Sequence, residues 1–295
     1  MTDELWTTKR LLSWTTQFLQ KHHTDSPRLD AEVLLAHARQ CDRITLYTSF
    51  EEEVDDRTRG TFRELIQRRA AGCPVAYLVG HREFFSLSFD VTSDVLIPRP
   101  ETEFLVMTAL DWAKHRSVPP RQIIDVGTGC GVVAICLAKY LPETQILATD
   151  ISTAAIEVAR RNAARHNVAD RIRFVEADLV PLDELAACDA VVSNPPYIGL
   201  REANTLDRDV REHEPHAALF GGACGEELTQ RLFQHIGDRL PENAAVMVEI
   251  NSNRSNELLE FVSKLDLYQS LRILDDLAGL PRLLTAERAC GGGPA

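Results

Sequence analysis

Residues 122–150 read QIIDVGTGCGVVAICLAKYLPETQILATD, in which a glycine-rich turn follows one apolar run and precedes two more. The first and last runs are short and bounded by turn residues, which is typical of buried strands, whereas the middle run is long enough for a helix. The stretch therefore predicts a strand, a glycine loop, a helix and a second strand, the unit from which parallel sheets are built.

The same alternation continues to the end of the chain. Further apolar runs at 171–178, 188–197 and 243–250 are typical of strands, and the segments at 152–167 and 225–240 have helical spacing. A last helix and two more strands follow. This pattern predicts an α/β fold in which helices cover both faces of a mostly parallel sheet.

The first 83 residues differ, because they predict helices without strands. DELWTTKRLLSWTTQFLQKH (3–22) begins with an Asp cap, SPRLDAEVLLAHARQ (26–40) begins with Ser-Pro, and a third helix ends at Gly72. We interpret Arg63, Arg68 and Arg69 as a solvated face of that third helix, with contact to a partner as the alternative.

A period of two at 84–97, with a Thr-Ser-Asp turn signal at 92–94, then predicts a β-hairpin that joins two parts. The predicted domains are therefore a helical domain (1–83), a hairpin linker (84–97) and a larger α/β domain (98–295).

Composition excludes several classes of protein. The chain has 295 residues, a net charge of −12, and seven cysteines without a C-x-x-C pair, so we expect neither a disulfide framework nor a zinc site. The acidic balance argues against a broad nucleic-acid surface. The sequence also has no apolar run of about 18 residues and no signal-peptide pattern, so we expect a cytoplasmic protein without membrane contact.

The glycine loop predicts a nucleoside site. Gly127, Gly129 and Gly131 have G-x-G-x-G spacing, not the spacing of dinucleotide enzymes, and they come just before a helix whose N-terminal N–H groups are free. Asp150 ends the next strand, where it could accept hydrogen bonds from two ribose hydroxyls. Asp178 ends the third strand and could meet an adenine amino group, although helix capping is an alternative.

Asn194-Pro195-Pro196-Tyr197 follows a short buried strand and predicts a site for a planar amine or amide. The lone pair of such a nitrogen is delocalised, so it is a poor nucleophile. The Asn194 side-chain oxygen and the Pro195 carbonyl could each accept one N–H, while Tyr197 packs on the flat group. Catalysis would then rest on positioning and electrostatics.

Taken together, these motifs resemble class I S-adenosylmethionine-dependent methyltransferases that act on planar nitrogens. A narrower resemblance, to the peptide chain release factor glutamine N5-methyltransferase family, covers residues 70 to 286. Six segments carry it: PVAYLVGHREFF (74–85), VLIPRPETE (95–103), IDVGTGCG (124–131), VVSNPPYI (191–198), EHEPHAALFGG (212–222) and DLAGLPRLL (276–284).

The resemblance implies a Rossmann-like sheet of seven strands, the last of them antiparallel, behind a small N-terminal helical domain. S-adenosyl-L-methionine would lie over Gly127, Thr128, Gly129, Cys130 and Gly131, and Asn194 would also border it. Its ribose would lie on Asp150, and its adenine near Asp178 and Leu179.

The implied substrate is the glutamine of the Gly-Gly-Gln motif in class 1 release factors, held by Asn194, Pro195, Pro196 and Tyr197. The helical domain would help to dock the release factor, and the resemblance favours a monomer. No metal is implied.

The chain departs from the family pattern at three places, which concern the rim of the cofactor site. Asn251 stands where a glycine is usual after Glu-Ile, residues 225–227 replace Gly-Leu-Asp, and Leu179 stands where an aromatic residue is sometimes found.

Four alternatives remain open. A glutamine methyltransferase for a ribosomal protein shares the chemistry, but those relatives have Pro-Arg-Ser where this chain has PRPETE (98–103). A DNA amino-methyltransferase would need a basic face. An NAD-dependent oxidoreductase would need different glycine spacing, and a non-enzymatic scaffold would not need Asn194.

Overall fold

The computed structural model describes residues 5–22 and 24–290. Its helices are α1 (Thr8–Lys21), α2 (Pro27–Arg39), α3 (Arg43–Thr48), α4 (Asp56–Ala70), α5 (Val75–Val79), α6 (Glu103–Lys114), α7 (Val132–Tyr140), α8 (Thr153–Arg165), α9 (Arg208–His213), α10 (Glu227–Ile236) and α11 (Ser255–Ser263). Its strands are β1 (His81–Phe84), β2 (Leu87–Asp90), β3 (Gln122–Val126), β4 (Gln145–Asp150), β5 (Ile172–Glu176), β6 (Ala190–Ser193), β7 (Ile198–Gly199), β8 (Phe220–Gly222), β9 (Ala245–Glu249), β10 (Tyr268–Asp275) and β11 (Pro281–Arg288).

Seven strands form the main sheet in the order β10-β11-β9-β6-β3-β4-β5. The pairs among β9, β6, β3, β4 and β5 are parallel, and β11 is antiparallel to both of its neighbours. The fold class expected from the sequence, including the antiparallel last strand, is confirmed.

The order of the strands reverses between β3 and β6. From β3 the chain proceeds outward through β4 and β5, and it then returns to β6 on the other side of β3. Val126 pairs with Ser193, so the two loops that follow these residues leave the sheet side by side. Ligands of open α/β sheets bind at such a reversal, outside the carboxyl ends of the strands.

The two strands at the reversal, β3 and β6, and the helix α7 that follows β3 are embedded in the apolar core. Ile123 and Ile124 of β3 and Val191 and Val192 of β6 are fully buried, and every residue of α7 from Val132 to Ala138 is buried. Each large apolar side chain contributes about 1.5–3 kcal/mol on burial. The central strands and α7 therefore form a rigid support for the loops above them.

The main sheet belongs to the second of two compact units. The first unit extends to His81 and also contains Asp207–His213, and the second contains Arg82–Leu206 and the chain from Glu214 onward. Among the described residues, no helix is long and apolar enough to cross a membrane.

The first unit is helical, as its sequence predicts, but one of its basic residues is not solvated. The Arg69 Nε donates to Asp30 Oδ2 at 2.7 Å, and both side chains are buried. The expectation for Arg69 is therefore wrong, because its place on α4 faces α2 and the buried carboxylate there. Thr7 caps α1 by accepting from the Arg10 N–H, whereas the predicted Asp3 cap lies outside the described residues.

The hairpin is shorter than the predicted 84–97 and lies earlier in the chain. Its strands are β1 and β2, and its two-residue turn is Phe85-Ser86, with φ of 50° and 59°. Positive φ at both turn residues suits the twist of a hairpin, although the sequence has no glycine there to signal it. Thr92 and Asp94 form a separate turn, in which the Thr92 hydroxyl donates to Asp94 Oδ2 at 2.9 Å.

Candidate active site

The glycine loop connects β3 to α7 with three residues in the left-handed region. Gly127, Gly129 and Gly131 have φ of 73°, 56° and 87°. A Cβ on Gly131 would lie 3.0 Å from the Ile135 side chain and 3.1 Å from Ala159, so this glycine also allows close packing. Nothing lies within 4 Å of the Cβ position at Gly127 or Gly129. The backbone there borders open space that a ligand can fill.

A single cavity at the strand reversal unites most of the residues expected from the sequence. Its lining includes Gly127, Thr128, Gly129, Cys130, Asp150, Asp178, Leu179, Asn194, Pro195 and Pro196. Gly131 and Tyr197 are not part of the lining. Gly131 lies behind the loop, against α7 and α8.

Asp125 is a buried acid beneath the loop that the sequence reasoning did not single out. Its Oδ2 accepts the Thr128 hydroxyl at 2.7 Å and the Ala134 N–H at 3.2 Å. Burial raises the pKa of Asp125 to about 7, against the lowering effect of these hydrogen bonds. The carboxylate therefore ties the loop to the first turn of α7.

Asp150 performs a similar task at the end of β4. One of its oxygens accepts the Gly129 N–H at 2.8 Å, and the other accepts the Ser152 N–H at 2.9 Å. Burial raises the pKa of this carboxyl. Ser152 itself caps α8 by accepting from the Ala155 N–H. A carboxylate has about four lone-pair sites, so Asp150 retains acceptor capacity toward the cavity.

Asp178 and Leu179 form the wall beyond β5. The Asp178 carboxylate pairs with Arg231 and is mostly exposed, and no helix begins beside it, so it does not act as a helix cap. Leu179 has a φ of 69°, and its carbonyl accepts the Thr149 hydroxyl at 2.6 Å. This bond holds the Leu179 side chain on the cavity wall.

Asn194 follows β6 at the rim of the cavity. The preceding Ser193 donates its hydroxyl to the Val126 carbonyl at 2.7 Å, which joins the two strands where they end. The Asn194 Nδ2 donates to Thr102 Oγ1 at 2.9 Å. With the nitrogen held in this way, the carboxamide oxygen is the Asn194 atom that remains to accept from a ligand.

The Tyr197 hydroxyl reaches the end of β9. It donates to Glu249 Oε1 at 3.2 Å, and burial raises the pKa of the phenol. Glu249 is fully buried, and its Oε2 has no hydrogen-bond partner within the described ranges. Sequence reasoning noted Glu249 only as part of a family motif.

One segment packs against the Asn-Pro-Pro-Tyr turn, and another is tied down by a buried acid beside the cavity. A Cβ on Gly221 would lie 2.2 Å from the Pro196 carbonyl oxygen, so β8 can approach the turn only with glycine at this place. The buried Glu214 accepts the Ile97 N–H at 3.1 Å and Arg99 at 2.6 Å. Arg99 lines the cavity.

The three departures from the family pattern differ in whether they border the cavity. The Asn251 Nδ2 donates to the Tyr197 carbonyl at 3.4 Å, and Asn251 is not part of the cavity lining. The Glu227 carboxylate accepts the Cys224 and Gly225 N–H groups, both at 2.9 Å. Of the three departures, only Leu179 borders the cavity.

Two family models match this chain. The PrmC N-terminal domain model matches residues 10–80, and the methyltransferase small domain model matches residues 101–211. The solved N-terminal domain of human METTL16 has a similar fold: it is 21% identical with a TM-score of 0.51, over 77% of this chain and 83% of that one.

Two relatives are similar over nearly the whole length. The release factor glutamine methyltransferase of Rhodopirellula baltica is 42% identical over 290 residues, which are 97% of this chain and 98% of the relative. That of Koribacter versatilis is 36% identical over 287 residues, 96% of this chain and 99% of the relative. The chain therefore belongs to the release factor glutamine methyltransferase family.

Proposed function

We propose that this protein methylates the side-chain amide nitrogen (N5) of the glutamine in the Gly-Gly-Gln motif of class 1 release factors, with S-adenosyl-L-methionine as methyl donor. The observation that carries the proposal is the single cavity that joins the glycine loop to the Asn-Pro-Pro turn. Membership of the family supplies the class of substrate.

The cavity fits the methyl donor. The open space beside Gly127 and Gly129 allows backbone to approach a nucleoside closely, and the remaining acceptor capacity of Asp150 suits a ribose diol. The cavity wall is completed by Thr128, Cys130 and Leu179, with Asp178 at its edge. Gly131 maintains the loop conformation. When bound, S-adenosylmethionine supplies an electrophilic methyl group on a sulfonium sulfur.

The acceptor amide would be held by two oxygens. Asn194 Oδ1 accepts one N–H, and the Pro195 carbonyl accepts the other. Both contacts turn the nitrogen toward the donor and raise its electron density, while Pro196 keeps the turn stiff. Positive charge would develop on the amide as the new N–C bond forms and the bond from the methyl group to sulfur breaks, before the displaced proton leaves to solvent. Acceptors that favour this positive charge therefore lower the barrier.

The helical domain (1–83) would dock the release factor, with the segment at 84–97 linking it to the catalytic domain (98–295). An aromatic groove on this domain supports the proposal: Trp6, Trp14, Phe18 and Phe62 line it, and Trp14 is 51% exposed. Arg59 and Arg63 lie on its edge. Exposed aromatic side chains beside arginine are typical of protein interfaces.

We also propose that this protein acts in the cytoplasm, where release factors act on the ribosome. It would work as a monomer, without stable contact to nucleic acid or to a membrane. Its net charge of −12 supports the absence of a nucleic-acid partner. Light scattering after size exclusion tests the oligomeric state, for which a mass near 33.0 kDa is expected.

The substrate proposal is tested by locating the methyl group. Purified enzyme, S-adenosylmethionine and an unmodified class 1 release factor are incubated, and the release factor is digested for tandem mass spectrometry. We expect one methyl group on the side-chain nitrogen of the Gly-Gly-Gln glutamine. A methyl group on another residue, or methylation only of ribosomal proteins in a parallel incubation, would contradict the proposal.

A further inference from the structure

Arg99 lines the cavity, but the proposed reaction gives it no task. Its Nη2 donates to Glu214 Oε1 at 2.6 Å. Only 1% of the Glu214 side chain is exposed, and its other oxygen accepts the Ile97 N–H at 3.1 Å. A buried acid therefore ties the arginine to the backbone just before it.

The bond to Glu214 leaves most of the Arg99 guanidinium available to a ligand. Arginine has five N–H donors in a planar fork. Among residues 5–22 and 24–290, this guanidinium makes no second hydrogen bond, and 30% of the side chain is exposed. Since Arg99 borders the cavity, the remaining donors can serve a molecule bound there.

The charges of the cavity lining are unequal. Of the described residues that form it, four are acidic and only Arg99 is basic; the acids are Asp94, Asp125, Asp150 and Asp178. S-adenosylmethionine carries a sulfonium and an ammonium group, which suit acidic surroundings, and one carboxylate, which does not. An arginine fork matches the two oxygens of a carboxylate.

The position of Arg99 agrees with such a pairing. Its carbonyl accepts the Thr102 N–H at 3.1 Å, and the Thr102 hydroxyl oxygen in turn accepts from Asn194. Arg99 therefore belongs to the Asn194 side of the cavity, whereas Asp150 is proposed for the ribose. The sulfur lies between the ribose and the amino-acid half of the donor. A donor whose methyl group meets the acceptor at Asn194 thus extends its amino-acid half toward this side.

We propose that Arg99, held by Glu214, binds the carboxylate of the methionine half of S-adenosylmethionine and so positions its methyl group. The acceptor amide is a poorer partner for this cation. Positive charge develops on the amide during transfer, and a neighbouring guanidinium would oppose it. The inference rests on the donor named in the proposed function, and not on which glutamine is methylated.

Calorimetry with two ligands tests this pairing without turnover. S-adenosylmethionine and its decarboxylated form differ only in the carboxylate. The affinity for the first, divided by the affinity for the second, is measured in the wild type and in Arg99→Met. We expect this ratio to fall by about 10–100-fold in the variant, which is the value of a charge-assisted contact.

Two further variants make the test decisive. Arg99→Met leaves a buried carboxylate without its partner, which destabilises a fold, so thermal unfolding of each variant is recorded. Arg99→Met combined with Glu214→Gln removes both charges, while the glutamine oxygen can still accept the Ile97 N–H. Arg116→Met is the matched control, because Arg116 is 31% exposed and pairs with Asp189 at 3.0 Å outside the cavity lining. Its ratio should stay within about twofold of the wild type.

Each result supports or overturns the inference. A ratio within about twofold of the wild type in the Arg99 variants would overturn it, whether both affinities fall equally or neither changes. An unchanged ratio with a raised KM for the release factor would assign Arg99 to the acceptor instead. If Arg99→Met does not fold, the double variant decides. Absence of S-adenosylmethionine binding in the wild type would contradict the proposed function itself.

Discussion

Replacement of Asn194 by alanine removes one of the two oxygens that would hold the acceptor amide. The Pro195 carbonyl remains, so the variant retains a weakened site. Loss of one well-placed polarising group costs about 10²–10³ in kcat, or about 2.7–4 kcal/mol of transition-state stabilisation. We expect this loss in kcat, because the amide gains charge only as the methyl group is transferred.

The same variant should barely affect folding and donor binding. In the free protein it removes the hydrogen bond from Asn194 Nδ2 to Thr102, worth about 0.5–1.5 kcal/mol. For a domain of this size, each kcal/mol of lost stability lowers Tm by about 2–4 °C, so a fall of a few degrees is expected. Affinity for S-adenosylmethionine should change by less than about threefold, since one border residue contributes little uniform binding.

The assay is single-turnover methyl transfer from labelled S-adenosylmethionine to a release factor, with calorimetry on the same preparations. Asn253→Ala, an exposed asparagine outside the cavity lining, is the matched control and should behave as the wild type. Turnover of Asn194→Ala within about threefold of the wild type would show that Asn194 does not polarise the amide. An equal loss in donor affinity would contradict that role as well.

Three further predictions concern the supports of the site and the helical unit. Asp150→Ala should weaken S-adenosylmethionine binding by about 10–100-fold, the value of charged hydrogen bonds to a diol; unchanged affinity by calorimetry would remove it from the ribose site. Gly221→Ala places a Cβ 2.2 Å from a carbonyl of the Asn-Pro-Pro turn, so kcat should fall with little change in donor affinity, and an equal fall in both would contradict this. Arg69→Ala leaves Asp30 buried and unpaired, so the free energy of unfolding measured in urea should fall by about 3–5 kcal/mol. Arg63→Ala, at an exposed position, is the control and should lower it by less than about 0.5 kcal/mol. Similar losses in the two variants would contradict the buried ion pair.

The sequence predicts the parallel sheet and the glycine loop because their signals are local. Short apolar runs, glycines at a strand end and an acid at the end of the next strand all lie within the thirty residues around β3 and β4. The strand reversal then brings Gly127 and Asn194 together, since Val126 and Ser193 are paired neighbours. This part of the site follows from the topology alone.

Contacts between distant segments could not be predicted in this way. The bond from Asn194 to Thr102 joins residues 92 positions apart, and that from Tyr197 to Glu249 joins residues 52 apart. No periodicity or spacing announces such pairs, so neither of these two bonds is expected from the sequence. Arg69 shows the same limit, because its partner is 39 positions away on another helix.

The hairpin could not be placed from the sequence for a different reason, because its turn residues do not follow the usual preferences. Its turn uses Phe85 and Ser86 at positive φ without glycine or asparagine. Sequence rules place such turns at Asn-Gly or Gly-Gly, and they therefore favoured the Thr-Ser-Asp segment further along. Turn preference was overridden here by the strands on either side.

Labelled methyl transfer to two versions of one release factor, with Gly-Gly-Gln and with Gly-Gly-Ala, shows whether this glutamine is the methylated residue. We expect one methyl group per molecule on the first and none on the second. Label on both, or on neither while S-adenosylmethionine still binds, would contradict this expectation.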